Sequence, residues 1–110
     1  AEERTEKQRR LAAKKAAEKK ARRAREAEIA RTKHLDEIAG KEPELWNQIE
    51  TLIATKQPKN YDRAVELLVD LRDLAARKGK KEDFGSRLDA LRVSQARKPA
   101  FIERMRKAGL

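Results

Sequence analysis

The chain has 110 residues, of which 44% are charged, and carries a net charge of +10 at pH 7 with no cysteine. This length leaves room for one domain, and the missing cysteine excludes disulfides, cysteine-ligated zinc, iron–sulfur clusters and thiol catalysis. No apolar run approaches the ~20 residues that a membrane span needs, so we predict that the protein does not enter membranes. The missing cysteine also fits a reducing compartment, so we predict a cytoplasmic protein.

The large apolar residues are distributed unevenly along the chain. Residues 1–34 contain only two, Leu11 and Ile29, whereas residues 35–110 contain 22. The same first segment carries 13 Lys or Arg against 6 Asp or Glu, a net charge of +7. We therefore predict a basic Ala/Lys/Arg-rich helical arm over residues 1–34 and a small helical bundle domain over residues 35–110.

The first two predicted helices are separated by a glycine and a proline. Residues 2–39 contain neither Gly nor Pro and consist mainly of Ala, Lys, Arg and Glu, which are strong helix formers. Gly40 ends this helix and Pro43 opens the next, because glycine favours helix C-termini and proline favours the first helical turn. The second helix is predicted over residues 44–55.

The third predicted helix covers residues 61–78, with Asn60 as its N-cap after a turn at residues 56–59. Its apolar residues cover a wider arc than one stripe, which is typical of a helix packed between others. We therefore predict that this helix is the central one and that Gly79 ends it.

Two further helices complete the predicted fold. Residues 81–96 form the fourth, where Gly85 is interpreted as a site of close packing against a neighbour, and Pro99 opens a short fifth. Leu110 is expected to fold back as a hydrophobic cap. The predicted fold is all-α, a long basic N-terminal helix followed by a bundle of about four helices. Its predicted core consists of Trp46, Val65, Leu68, Leu71, Phe84, Leu88 and Leu91.

Few residues offer material for catalysis. The only histidine, His34, has no cysteine or second histidine as a co-ligand. Asp62, Glu66 and Asp70 share one helix face, and such carboxylates can bind Mg²⁺ or transfer protons, but we interpret them as a solvated face. With no phosphate-cradling glycine loop and no nucleophile motif, we predict no enzyme, no metal, no cofactor and no small-molecule substrate.

The basic residues of the arm are the main functional candidates. They recur every few positions and surround the helix, an arrangement suited to the sugar–phosphate backbone rather than to reading bases. The predicted phosphate contacts are Arg9, Arg10, Lys14, Lys15, Lys19, Lys20, Arg22, Arg23 and Arg25. A possible secondary basic patch comprises Arg97, Lys98, Arg104, Arg106 and Lys107. The first hypothesis is therefore a non-catalytic nucleic-acid-associated module, with RNA and DNA both open.

A second hypothesis treats the chain as a protein–protein interaction or structural module. Charged helices also occur as spacers between domains, and the arm is then a spacer or a weak coiled coil while the bundle binds a protein partner. Salt separates the two hypotheses, because backbone binding weakens steeply as salt rises, whereas a groove with apolar anchors changes little.

One stretch of the bundle carries a family resemblance. Its pattern includes Tyr61-x-x-Ala64-Val65-x-Leu67-Leu68 and, later, Lys98-Pro99-x-Phe101. Residues 35–110 resemble the C-terminal helical region of bacterial SWIM zinc-finger proteins, whose helix pair is similar to a tetratricopeptide-type hairpin. The zinc finger of that family needs three cysteines and a histidine, so zinc and finger-mediated DNA binding do not carry over. The resemblance implies a tail module separated from a partner domain, with no family functional residue present.

Overall fold

The computed structural model describes residues 2–110, with side chains from Thr5 onward, and this part of the chain is all-α, as predicted. The five helices are α1 (Glu2–Ile38), α2 (Glu42–Ala54), α3 (Pro58–Arg77), α4 (Lys81–Ser94) and α5 (Pro99–Lys107). The chain divides into two compact units, one extending to Glu37 and one, termed the bundle here, covering Ile38–Leu110.

Helix α1 is long, and burial contributes to it only near its C-terminal end, where Leu35 is 4% exposed. Every side chain from Thr5 to Ala30 is exposed. The helix is built from alanine and from long charged residues that lose little side-chain freedom in a helix. Ion pairs one turn apart add support, as between Arg10 and Glu6 at 3.3 Å. The prediction of a long N-terminal helix is confirmed.

Helix α3 is the central element of the bundle, as predicted. Helices α2, α4 and α5 each contact it. Leu68 is fully buried and Leu71 is 3% exposed. Six of the seven predicted core residues belong to the buried cluster, and the seventh, Phe84, is half-buried and packs against it. The wide apolar arc of α3 therefore reflects contact with neighbours on several sides.

Helices α2 and α3 form an antiparallel hairpin, and an ion pair joins the two helices at the end opposite their connecting turn. Lys78, just after α3, lies 2.6 Å from Glu42 at the start of α2. The closed end contains a hydrogen-bonded turn, in which Thr55 Oγ1 donates to the Leu52 carbonyl at 2.7 Å and accepts from Asn60 Nδ2 at 2.8 Å. These contacts fix both ends of the hairpin.

The predicted start of α3 at residue 61 was wrong by three residues. The helix begins at Pro58, and Gln57 is its extended N-cap residue, with φ −99° and ψ 133°. Proline disfavours the helical region for the residue before it but is itself preorganised for the first helical position. Asn60 therefore lies inside the first turn and bonds to Thr55 instead of capping the helix.

The ends of α3 and α5 are closed by glycines in the left-handed region. Gly79 has φ +68° and Gly109 has φ +80°. The amide of Leu110 donates to the Met105 carbonyl at 2.9 Å and that of Gly109 to the Arg106 carbonyl at 3.1 Å, which is the Schellman arrangement. Leu110 packs against the core cluster, which confirms the predicted hydrophobic cap.

Two details of the bundle differ from the sequence predictions. A β-carbon at Gly85 would have no neighbour within 4 Å, so no close packing explains this glycine. Asp70, expected on a solvated face, is only 8% exposed. Because α3 is covered on several sides, a position on its polar arc is buried together with its apolar neighbours.

Candidate nucleic-acid interface

The nine predicted phosphate contacts all lie on the exposed part of α1. The segment from Arg9 to Arg25 contains nine basic residues and one acidic residue, Glu18. At ~1.5 Å per residue it spans roughly 25 Å. Its net charge of +8 therefore corresponds to one positive charge every ~3 Å, close to the ~3.4 Å separation of charges along one nucleic-acid strand.

Most of these nine cations are not neutralised by a carboxylate among the described side chains. Arg10 pairs with Glu6, and Arg22 lies 4.0 Å from Glu26. Across residues 5–110, the other seven of the nine have no ion pair. The two pairs that exist are exposed, and exposed pairs contribute at most about 1 kcal/mol. A phosphate can therefore replace the carboxylate at little cost.

The nine cations form three rows along α1. Successive helical residues advance by ~100° around the axis, which places residues 4, 7, 11 and 15 positions apart on similar faces. The Lys15 row is Lys15, Lys19 and Arg22, the Arg9 row is Arg9, Lys20 and Arg23, and the Arg10 row is Arg10, Lys14 and Arg25. The rows lie roughly 120° apart, so every side of the helix presents cations.

The possible secondary patch near the C-terminus is partly neutralised. Arg104 Nε lies 2.7 Å from Asp62 Oδ1, a pair that joins α5 to α3. Arg106 forms two hydrogen bonds to Glu103, which lower the pKa of the Glu103 carboxyl and raise that of the Arg106 guanidinium. Arg97 and Lys107 remain exposed, and Lys98 is half-buried. The bundle thus presents a weaker cationic surface than α1.

The bundle contains a groove between α2, α3 and α4 that was not predicted from the sequence. It encloses about 430 Å³. The rings of Trp46 and Phe84 lie 6.0 Å apart, and the guanidinium of Arg87 lies 4.5 Å from the Trp46 ring centroid. Phe84 and Arg87 are three residues apart on α4, a spacing that could have indicated a shared face. The groove is lined by Glu42, Trp46, Leu71, Leu74, Ala75, Lys78, Lys80, Asp83, Phe84 and Arg87.

The carboxylates considered for catalysis share one face of α3, and two of the three form ion pairs within the bundle. His34 is exposed on α1. In the bundle, Asp62 pairs with Arg104, and Glu66 pairs with Arg63 at 3.0 Å. Among the described residues, no group of three His, Cys, Asp or Glu side chains could hold a metal ion. Over the same residues, no helix is long and apolar enough to cross a membrane.

Comparison with known proteins gives no relative. No family model, no curated protein and no solved structure matches the chain.

Proposed function

We propose that the chain is a non-catalytic nucleic-acid-associated module in which α1 binds the sugar–phosphate backbone. The observation that supports this proposal most strongly is the charge density of the segment from Arg9 to Arg25, nine exposed cations with a single acidic residue. Such a surface gains free energy by displacing counterions condensed on a polyanion. Because phosphates carry no sequence information, binding is independent of base sequence.

A matched pair of variants tests the proposal. The arm variant replaces Lys14, Lys15, Lys19 and Lys20 with Gln, and the control variant replaces Lys41, Lys59, Lys80 and Lys81, four exposed lysines of the bundle, with Gln. Both variants lose four charges, so an effect of net charge alone is equal in both. We expect the arm variant to lose at least about tenfold more affinity for each of two unrelated duplex sequences. Equal losses in the two variants would refute a binding role specific to α1.

The interaction-module hypothesis remains the alternative. If the bundle binds a protein partner and α1 is a spacer or weak coiled coil, both lysine variants bind nucleic acid equally weakly. The groove lined by Trp46 and Phe84 is the feature of the bundle most compatible with that alternative.

The proposal also covers the location of the protein, the type of the α2–α3 hairpin and the role of the bundle. We place the protein in the cytoplasm, since the absence of cysteine fits a reducing compartment. The α2–α3 hairpin is proposed to be of tetratricopeptide type, because of the Tyr61-x-x-Ala64-Val65 pattern. The bundle is proposed to serve as a tail module that accompanies a separate partner domain.

A further inference from the structure

The arrangement of the cations in three rows restricts the shape of the ligand that can contact them. A single phosphate strand is a single line of charge, so it can contact one side of a helix at a time. The Lys15, Arg9 and Arg10 rows lie roughly 120° apart, and all nine side chains are exposed. A ligand that uses two rows at once must present phosphates on two sides of α1.

Only one common nucleic-acid form offers that geometry. The major groove of B-form DNA is ~12 Å wide with phosphates along both edges, and an α-helix with its side chains has a diameter of ~10–12 Å. The major groove of A-form RNA is deep and narrow. Single strands are usually held by stacking on aromatic side chains, and residues 1–38 contain no Phe, Tyr or Trp.

On this basis we infer that α1 lies in the major groove of B-form duplex DNA, with two of its three cationic rows on the two phosphate edges. This inference rests on the proposed function and deepens it, because it selects duplex DNA as the ligand and assigns an orientation to the helix.

The positions of the charges decide which row faces outward. Within the segment from Arg9 to Arg25, the one acidic residue is Glu18, which lies between the Lys15 and Arg10 rows, and its charge disfavours turning that side toward the phosphate-lined groove. Glu6 and Glu28 lie on the side between the Arg9 and Arg10 rows, but outside the two ends of this segment. The Lys15 and Arg9 rows leave little space between their edges, although their centres are well separated, because Lys19 and Arg23 are four residues and only ~40° apart around the helix axis. The widest interval separates the Arg9 and Arg10 rows. These two rows contact the phosphates, and the Lys15 row points to solvent.

Three variants of the intact chain test this assignment. Each replaces one complete row with Gln, a good helix former, so all three lose the same charge from the same part of α1. The probes are a 30-base-pair DNA duplex, one of its strands and an RNA duplex of the same sequence. The measurement is affinity as a function of salt concentration, with circular dichroism as a check that the helix is retained.

We expect a slope of log affinity against log salt of about −5 for the intact chain on duplex DNA, from six phosphate contacts. In the Arg9-row and Arg10-row variants this slope should each time become less negative by about 3, and in the Lys15-row variant by less than about 1. The RNA duplex and the single strand should bind at least about tenfold more weakly than duplex DNA.

Other outcomes would overturn the inference in distinguishable ways. Equal effects of all three rows would indicate unoriented charge attraction, and an effect of one row alone would indicate contact with the outside of one strand. Equal affinity for RNA and DNA duplexes would also exclude binding of α1 in the major groove. In each of these cases the proposed function survives, whereas no salt-dependent binding to any of the three probes refutes the proposed function itself.

Discussion

Helix α1 and the bundle are both helical, yet different forces hold them in that state. In α1 the side chains from Thr5 to Ala30 are exposed, so this part of the helix depends on intrinsic propensity and on pairs between neighbouring turns. In the bundle, α3 is covered by three other helices and contributes eight buried residues. The comparison shows that burial of apolar side chains stabilises the bundle, whereas the main property of α1 is the positive charge of its exposed surface.

The largest difference between the two regions should appear when the same leucine truncation is made in each. Leu68 is fully buried, whereas Leu11 is 57% exposed. Leu68→Ala should reduce the free energy of unfolding by about 2–5 kcal/mol, because it removes packed methyl groups and leaves a cavity. Leu11→Ala should change it by less than about 0.5 kcal/mol. Urea denaturation followed by circular dichroism measures both, and equal effects would contradict the contrast.

A second pair of substitutions separates two roles of glycine within the bundle. Gly79 closes α3 with φ +68°, whereas Gly85 lies inside α4, where an added β-carbon meets nothing within 4 Å. Gly79→Ala should destabilise the bundle by about 1 kcal/mol, because an L-residue is strained in the left-handed region. Gly85→Ala should stabilise it by about 0.5–1 kcal/mol through higher helix propensity. Thermal unfolding measures both, and shifts of the same sign would refute this distinction.

A smaller effect concerns pH and the ion pair that closes the α2–α3 hairpin. The hydrogen bond from Lys78 lowers the pKa of Glu42 below its ordinary value of about 4.5. Its stabilising contribution is therefore present above pH ~4.5 and is lost as the pH falls through the lower folded-state pKa. Glu42→Gln should lower the melting temperature at pH 7, and its difference from the intact chain should shrink by pH 3.

The control for this pH effect is Glu44→Gln, which removes a second carboxylate from the same first turn of α2. Both substitutions weaken the favourable interaction with the helix dipole, but only Glu42 bonds to Lys78. If the two variants have the same pH dependence, the ion pair contributes nothing beyond the dipole.

Most of the helical architecture could be predicted from local patterns, and the errors have one local cause and one tertiary cause. Helix α5 opens at Pro99 as expected, because proline at the first helical position is a strong signal. The same signal at Pro58 was missed, because the residue before a proline disfavours the helical region and residues 56–59 were therefore predicted to be a turn. The burial of Asp70 could not be read from sequence, because it depends on which helices cover that side of α3.

Some features of the candidate site could also be predicted from the sequence, whereas others depend on the fold. The exposure of the α1 cations could be predicted from the sequence, because residues 5–30 include only two large apolar side chains, Leu11 and Ile29. Within the predicted secondary patch, the pairing of Arg104 could not be predicted, since Asp62 and Arg104 are 42 residues apart and only the fold brings them together. The pair between Arg106 and Glu103 has a spacing of three residues on one helix and could have been anticipated.

The salt dependence of duplex binding by the intact chain tests the central claim most directly. If the exposed cations of α1 displace counterions from phosphates, affinity for a DNA duplex should fall by about a thousandfold between roughly 50 and 200 mM salt. This loss should be equal for duplexes of unrelated sequence. A fall of less than about tenfold over the same range would contradict backbone binding by α1 and favour the protein-interaction alternative.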